Sequence, residues 1–398
     1  MDARSSTFRL FGRSPSFVRA RRALFAVSFA VGLTFAAAAI GGSSGLAAQQ
    51  STPGASRFLG RGWLREEARP CSRPPSKRRY VSAQGSDSNP GTVRRPWRTL
   101  SRAFRSFVPG EAVYVRSGTY SEWAVESRSG TASAPISLRA FPGETPVMTG
   151  RLKIEGGYFC AEGLRFQGRT QANMKDVLIY VSGANHVEIL RNEIANAFMS
   201  GIYVGDEGDS SRDVSIIDNY IHGNGTHDRL DHGVYFGHVN GGLIANNLVV
   251  GNLALGLKIA PEANHDLVAQ NTVVSNGLAG ILVGGELNWS SNDNLVVNNI
   301  VAFSGEWGIR TYWEKAVGNG NLALRNLVFA NHRGPFLFPR GGMVQQKSIL
   351  ANPRFVSTGD FRLQRGSPAI NRAIRSFSMP SDFNGRRRRR PDLGAFEH

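Results

Sequence analysis

Cysteine is almost missing from this chain: its 398 residues hold two, Cys71 and Cys160. No cysteines and histidines stand at metal-ligand spacing, so nothing suggests a zinc module. Export would permit a disulfide. However, Cys71 lies in a Ser-, Pro- and Arg-rich stretch and Cys160 in the apolar run Tyr158-Phe-Cys-Ala, and the sequence predicts two unpaired thiols. Charge is sparse at 19 % of residues, and negative charge sparser: 30 Asp and Glu face 47 Lys and Arg, a net +17. A basic balance favours polyanions, whether nucleic acid, anionic lipid or acidic polysaccharide. Part of the excess is local, with an unbroken run at Arg386–Arg390 and a cluster of Arg in the first 22 residues. The middle of the chain is far less basic, so net charge does not choose among these partners.

Residues 1–48 read as an export segment. A basic stretch ending Arg19-Ala-Arg21-Arg22 leads into the apolar run Ala23 to Ile40, then into Gly45-Leu46-Ala47-Ala48. A run of about 18 residues suits either a cleaved signal peptide or, at the lower limit, a retained membrane anchor. Either reading places the rest outside the cytosol, as a secreted, periplasmic or cell-envelope protein. Residues 49–79 show no periodicity and read as a disordered linker.

What the chain has in quantity is glycine, 46 residues, and asparagine at a steady interval. Asn192, Asn219, Asn247, Asn271, Asn299 and Asn326 follow one another at gaps of 27, 28, 24, 28 and 27 residues. Each follows an apolar alternation, as in Val187 and Ile189 before Asn192, and each precedes a Gly opening a short apolar run. These runs are Gly201-Ile-Tyr-Val, Gly233-Val-Tyr-Phe, Gly256-Leu-Lys-Ile, Gly280-Ile-Leu-Val, Gly308-Ile-Arg-Thr and Gly334-Pro-Phe-Leu. Such a period marks a repeat architecture, and β-branched alternation marks half-buried strands. One unit therefore reads as one rung of a solenoid, each strand pairing with its copy about 4.8 Å above. The Asn column is expected to stack at a bend and satisfy its backbone groups.

Three stretches carry a family resemblance. One is the repeat. Another is Tyr80-Val-Ser-Ala-Gln-Gly-Ser-Asp-Ser-Asn-Pro-Gly with Pro96-Trp-Arg-Thr-Leu and Pro109-Gly-Glu-Ala-Val-Tyr-Val-Arg-Ser-Gly-Thr-Tyr120. The third is Ser367-Pro-Ala-Ile, Asp382-Phe-Asn-Gly-Arg and Pro391-Asp-Leu-Gly-Ala-Phe-Glu397. Together they resemble the right-handed parallel β-helix proteins, in particular secreted polysaccharide-lyase-type (pectin lyase-like) members. The resemblance implies an all-β parallel solenoid over 80–360. Its N-terminal helical cap would span Trp97 to Phe107, and residues 361–398, with the basic run, would cover the C-terminal end. It is specific for fold and not for activity, since this scaffold hosts lyases, hydrolases, epimerases and non-catalytic proteins.

Aligning the Gly runs sorts the side chains. The residue one after Gly is apolar and faces the core. The residue two after Gly points out: Tyr203, Tyr235, Lys258, Leu282, Arg310 and Phe336. Six after Gly, Glu207, Glu262, Glu286 and Glu314 share a column with Val239. The rung of Tyr235 carries an insertion, Gly225-Thr-His-Asp-Arg-Leu-Asp231-His232, and inserted loops on a repeat face commonly carry its site.

This cluster suits elimination on an acidic sugar, which needs a neutralised carboxylate, a base and an acid. Lys258 is the candidate base and Arg310 the carboxylate-recognition residue; Tyr235 or His232 is the acid. Asp231, His238, Trp307 and Trp313 are candidate substrate contacts, and Trp289 is a further candidate sugar platform. Glu262 and Glu286, with Glu314 or Glu207, are candidate Ca²⁺ ligands. The closely set Asp pairs and Gly-His-Gly run of β-helix pectin hydrolases are missing, with Asp228 and Asp231 a poor substitute for paired carboxylates. The leading expectation is a monomeric, exported polysaccharide lyase acting on an acidic polysaccharide. A hydrolase, an epimerase or a non-catalytic carbohydrate-binding protein are the alternatives, and nucleic acid is not an expected partner.

Overall fold

A computed structural model describes residues 56–59, 64, 69–168, 176–205, 210–286, 288–311 and 318–398. The stretch 1–48, read above as an export segment, lies outside the described residues. Three long parallel sheets run the length of the molecule. The first has 11 strands from Lys77–Val81 to Met343–Gln346; the second has nine, from Gly118–Tyr120 to Leu327–Phe329; the third has nine, from Ala124–Glu126 to Gly334–Leu337. The chain visits them in turn, as in Val187–Leu190, Glu193–Ala195 and Ile202–Val204, before returning to the first at Ser215–Ile217. This is the expected right-handed parallel β-helix.

The bends explain the sequence period. Immediately before each periodic Asn stands a residue in the left-handed region: Arg191, Asp218, Asn246, Gln270, Asn298 and Arg325 lie at φ +52°, +56°, +62°, +52°, +60° and +48°. Such a conformation costs an L-residue roughly 1–2 kcal/mol. The following Asn offsets that cost by bonding between rungs. Asn219 accepts from the Asn192 amide N–H and donates to the Ile189 carbonyl, both at 2.9 Å, and its amide donates on to Asn247 at 3.0 Å. The same pattern continues through Asn271 and Asn299 to Asn326. Five residues further along each rung a second ladder, Asn224, Asn252 and Asn276, turns the chain from the second sheet to the third.

The axis is filled by the inward positions. Ile202, Val234, Leu257, Ile281 and Ile309 are all fully buried in one core cluster, each contributing about 1.5–3 kcal/mol by burial. At the N-terminal end a short helix, Leu100–Phe104, starts on the Thr99 hydroxyl and buries Leu100, Ala103 and Phe104. It is shorter than expected because Trp97 is held extended, its N–H bonded to the Tyr80 carbonyl at 2.9 Å.

Two readings need correction. Cys71 and Cys160 form a disulfide across 89 residues of sequence. Cys71 is not in a free-swinging linker: the Pro70–Ser72 turn packs on the first sheet, where the Cys71 N–H bonds to the Glu188 carboxylate at 2.7 Å. Of the described part of the stretch read as linker, Lys77–Arg79 belong to the first strand of that sheet and the rest lies along its outside as a strap. At its far end Phe58 is buried with Leu295 and Leu322, and Arg57 bonds to the Gly320 carbonyl and to Asp293. The physical reason is that the outward face of the first sheet is itself apolar at Leu190, Ile217, Leu243, Leu267, Leu295 and Leu322, so it demands a cover. The C-terminal segment answers the same demand along the flank. Phe361 and Phe396 pack with Leu248 and Val274, Leu363 and Leu393 with Ile300 and Leu327, and Phe377 with the first-sheet cluster.

Candidate functional site

The outward face of the third sheet carries one continuous column. Strand register pairs Val125 with Lys153, Lys153 with Tyr180, Tyr180 with Tyr203, Tyr203 with Tyr235, Tyr235 with Lys258, Lys258 with Leu282, and Leu282 with Arg310. The expected alignment thus holds from Tyr203 to Arg310. It slips at the last rung, where Arg310 pairs with Leu337 and Phe336 with Ile309. The slip follows from sequence: Trp307 and Gly308 already lie in the strand Trp307–Thr311, which pairs with Gly334 one residue earlier.

Lys258 sits at the middle of this face with its side chain only 12 % exposed. Its Nζ lies 4.3 Å from the Tyr235 ring centroid and 3.3 Å from a Glu286 carboxylate oxygen. Burial lowers the Lys258 pKa from its ordinary 10.5, and Glu286 opposes that shift. Tyr235 is stacked on Tyr203 at 4.3 Å, one rung below, and holds the Lys258 ammonium one rung above. Its ring therefore serves as a cation–π support.

The inserted loop delivers His232 beneath this pair, its ring 6.1 Å from that of Tyr235. The Leu255 N–H points at His232 Nδ1 at 3.3 Å, which puts the ring proton on Nε2. Burial, then the neighbouring Lys258, lower the His232 pKa well below 6.5, so the ring is neutral at pH 7. Asp231 faces the loop instead: its Oδ2 accepts from the Thr226 and His227 N–H groups and lies 2.9 Å from the His227 ring. It holds the insertion in shape.

The remaining predicted residues divide. Arg310 is in the column two rungs from Lys258, with its guanidinium 3.1 Å from Glu306. His238 stands 2.8 Å from Glu262 and against the edge of Trp289. Trp289, half exposed, is pinned by paired backbone bonds to Glu286, both at 2.9 Å. Trp307 packs against the apolar group of Leu255, Ala260, Ala279 and Leu282. Trp313, Glu314 and Glu207 lie outside the described residues. Glu262 and Glu286 are each engaged by a basic side chain. Among the described residues, the three-member group that brings potential ligand atoms together is Cys71, Cys160 and Glu162, and its sulfurs are bonded to each other.

Two features of the face escaped the sequence reading. Lys153 and Tyr180 extend the column but lack the opening Gly. The signal was present in Ile179-Tyr-Val181, which repeats Ile202-Tyr-Val204. Glu306, which partners Arg310, precedes its Gly and so fell outside the aligned positions.

The ladder of bends and the three parallel sheets define a right-handed parallel β-helix protein. Residues 79–252 match the family described as Pel9A-like, right handed beta helix region. Two curated relatives share part of it. Protein YwoF of Bacillus subtilis (strain 168) is 33 % identical over 144 residues, 36 % of this chain and 28 % of the relative. Pectate lyase PEL9 of Emericella nidulans is 40 % identical over 73 residues, 18 % of each chain. The matches thus span under a third of either relative's length. The crystal structure of pectate lyase Pel9A superposes with a TM-score of 0.61 at 16 % identity, covering 82 % of this chain and 98 % of that one. A structure titled glycoside hydrolase does so at 0.51 and 8 %, covering 69 % and 96 %. The chain is pectate lyase-like in fold, with both lyases and glycoside hydrolases among its structural neighbours.

Proposed function

We propose that this protein is an exported, acidic-polysaccharide-active enzyme that cleaves by β-elimination at the third-sheet face. The observation that carries the reading is Lys258: an outward-facing lysine, nearly buried, whose burial lowers its pKa. A lysine in that state is a base poised closer to neutral pH than a solvated one. In the proposed step the neutral Lys258 amine takes the proton on the carbon next to the uronate carboxylate. The electron pair left behind forms the carbon–carbon double bond as the bond to the glycosidic oxygen breaks, and that oxygen takes a proton from an acid. Tyr235, partly exposed beside Lys258, is the proposed acid. Neutral His232, buried beneath, is the supporting Nε2–H donor. Arg310, two rungs on, is proposed to bind a carboxylate of the chain at a neighbouring sugar rather than at the reacting carbon. The similarity to pectate lyase PEL9 over 73 residues supports the class of substrate.

The test is ultraviolet absorbance of unsaturated uronate ends, using protein without residues 1–48 on pectate, alginate and heparinoids, with Ca²⁺ or with chelator. Lys258→Ala is expected to lower the rate by at least about 10²-fold, within the usual range for a general base. Loss of absorbance under chelation would assign Ca²⁺ to the Glu column. New reducing ends without absorbance would make the protein a hydrolase. Glycan binding with no cleavage on any substrate would leave a carbohydrate-binding protein.

A further inference from the structure

We propose that the outward column from Val125 to Lys258 is a linear glycan track, and that Lys153, four rungs from Lys258, is a second anionic-sugar subsite at its far end. The inference rests on the reading of this face as glycan-binding and adds Lys153, Tyr180 and Tyr203, which that reading did not use.

The two ends of the column are built alike. Lys153 Nζ lies 5.3 Å from the Tyr180 ring centroid and 2.6 Å from Glu155, as Lys258 Nζ lies 4.3 Å from Tyr235 and 3.3 Å from Glu286. In each case a tyrosine on an adjacent rung lies against the ammonium and a carboxylate pairs with it, Glu155 on the same rung as Lys153 and Glu286 on the rung after Lys258. Between them run Tyr180, Tyr203 and Tyr235, all partly exposed, with no charged residue in the column. Strand register makes this an array in line with the solenoid axis, at about 4.8 Å per rung and about 19 Å from one lysine to the other. A chain of pyranose rings presents the matching pattern of apolar ring faces and carboxylates. Beyond Lys153 the surface continues with exposed Val125 and Trp123, the latter under the Arg151 guanidinium at 4.7 Å.

An isolated surface lysine would affect substrates of all lengths alike or not at all. A distal subsite would act only on chains long enough to reach it. The test uses length-fractionated oligogalacturonates and oligoalginates, with kcat/KM measured for the wild type, Lys153→Gln and Lys153→Arg. The loss in Lys153→Gln is expected to grow with length, reaching about two- to fivefold in KM for oligomers spanning both lysines, the effect of one partly screened charge contact. Lys153→Arg is expected to recover most of it. A loss independent of length, or no loss on the longest oligomers, would overturn the second subsite while leaving the catalytic reading intact. A wild type that neither binds nor cleaves either polymer would overturn both.

Discussion

The protonation of Lys258 is set by burial and by one carboxylate, which act in opposite directions. Burial favours the neutral amine and the Glu286 carboxylate favours the ammonium. The proposed base works only when deprotonated, so kcat/KM is expected to rise with pH, with its inflection below the ordinary lysine value of 10.5. Glu286→Gln removes the group that holds the proton on. Its pH–rate profile is expected to shift to lower pH, and a profile unmoved or shifted upward would detach Glu286 from the base. Lys258 was legible in sequence because the Gly period lines up outward positions without any knowledge of contacts. Its carboxylate partner was not, because Glu286 reaches the lysine from the next rung, at a spacing of 28 residues. The neutrality of His232 was also hidden, since it depends on burial and on the neighbouring Lys258.

At the scale of the rung, the Asn ladders explain both the period and its exceptions. A third ladder runs Asp266, Asn294, Asn321, in which Asn294 accepts from the Asp266 N–H at 2.9 Å and Asn321 from the Asn294 N–H at 3.0 Å. Asp266 substitutes for the amide. Its Oδ1 accepts from Gly242, but its Oδ2 is buried with no hydrogen-bond partner among the described residues. Burial raises its pKa well above 3.8. A raised folded-state pKa gives stability that is full below the unfolded value and lost as pH climbs. Asp266→Asn would supply the missing donor and remove that penalty. Denaturant titration at pH 7 is expected to show a gain of about 1–3 kcal/mol, shrinking as pH falls toward 4. A gain that persists unchanged at low pH would mean the carboxyl is not the cause. The first ladder could be read from the Asn spacing alone. The second was equally present in sequence, as Asn224, Asn252 and Asn276 each stand five after a ladder Asn, and went unread because only the stronger column was aligned.

For the whole molecule, solenoid reasoning foresaw covers at the two ends and missed the need along the side. An outward face is expected to be polar, but the first sheet presents a row of leucines there, so the strap and the C-terminal segment lie lengthwise. That row also explains why the disulfide was misjudged: Cys160 is buried under the strap rather than in the axial core. The bond joins the strap to the stack, and Cys71→Ser with Cys160→Ser, or reduction, is expected to lower unfolding free energy by about 2–4 kcal/mol, read by denaturant midpoints with and without reductant. Equal midpoints would mean that packing of Phe58 alone holds the strap.

The direction of that strap sets an order of assembly. Its residues leave the ribosome before any rung exists, yet Phe58 docks beside Leu322 and Cys71 beside Cys160. The Phe58 end of the strap must wait for the rung of Leu322, whereas its Cys71 end can dock once the rung of Cys160 exists, so the strap closes from Cys71 toward Phe58. A chain stopped short of Leu322 would leave Phe58 without part of its seat, so a docked Phe58 reports that the solenoid has been built as far as that rung.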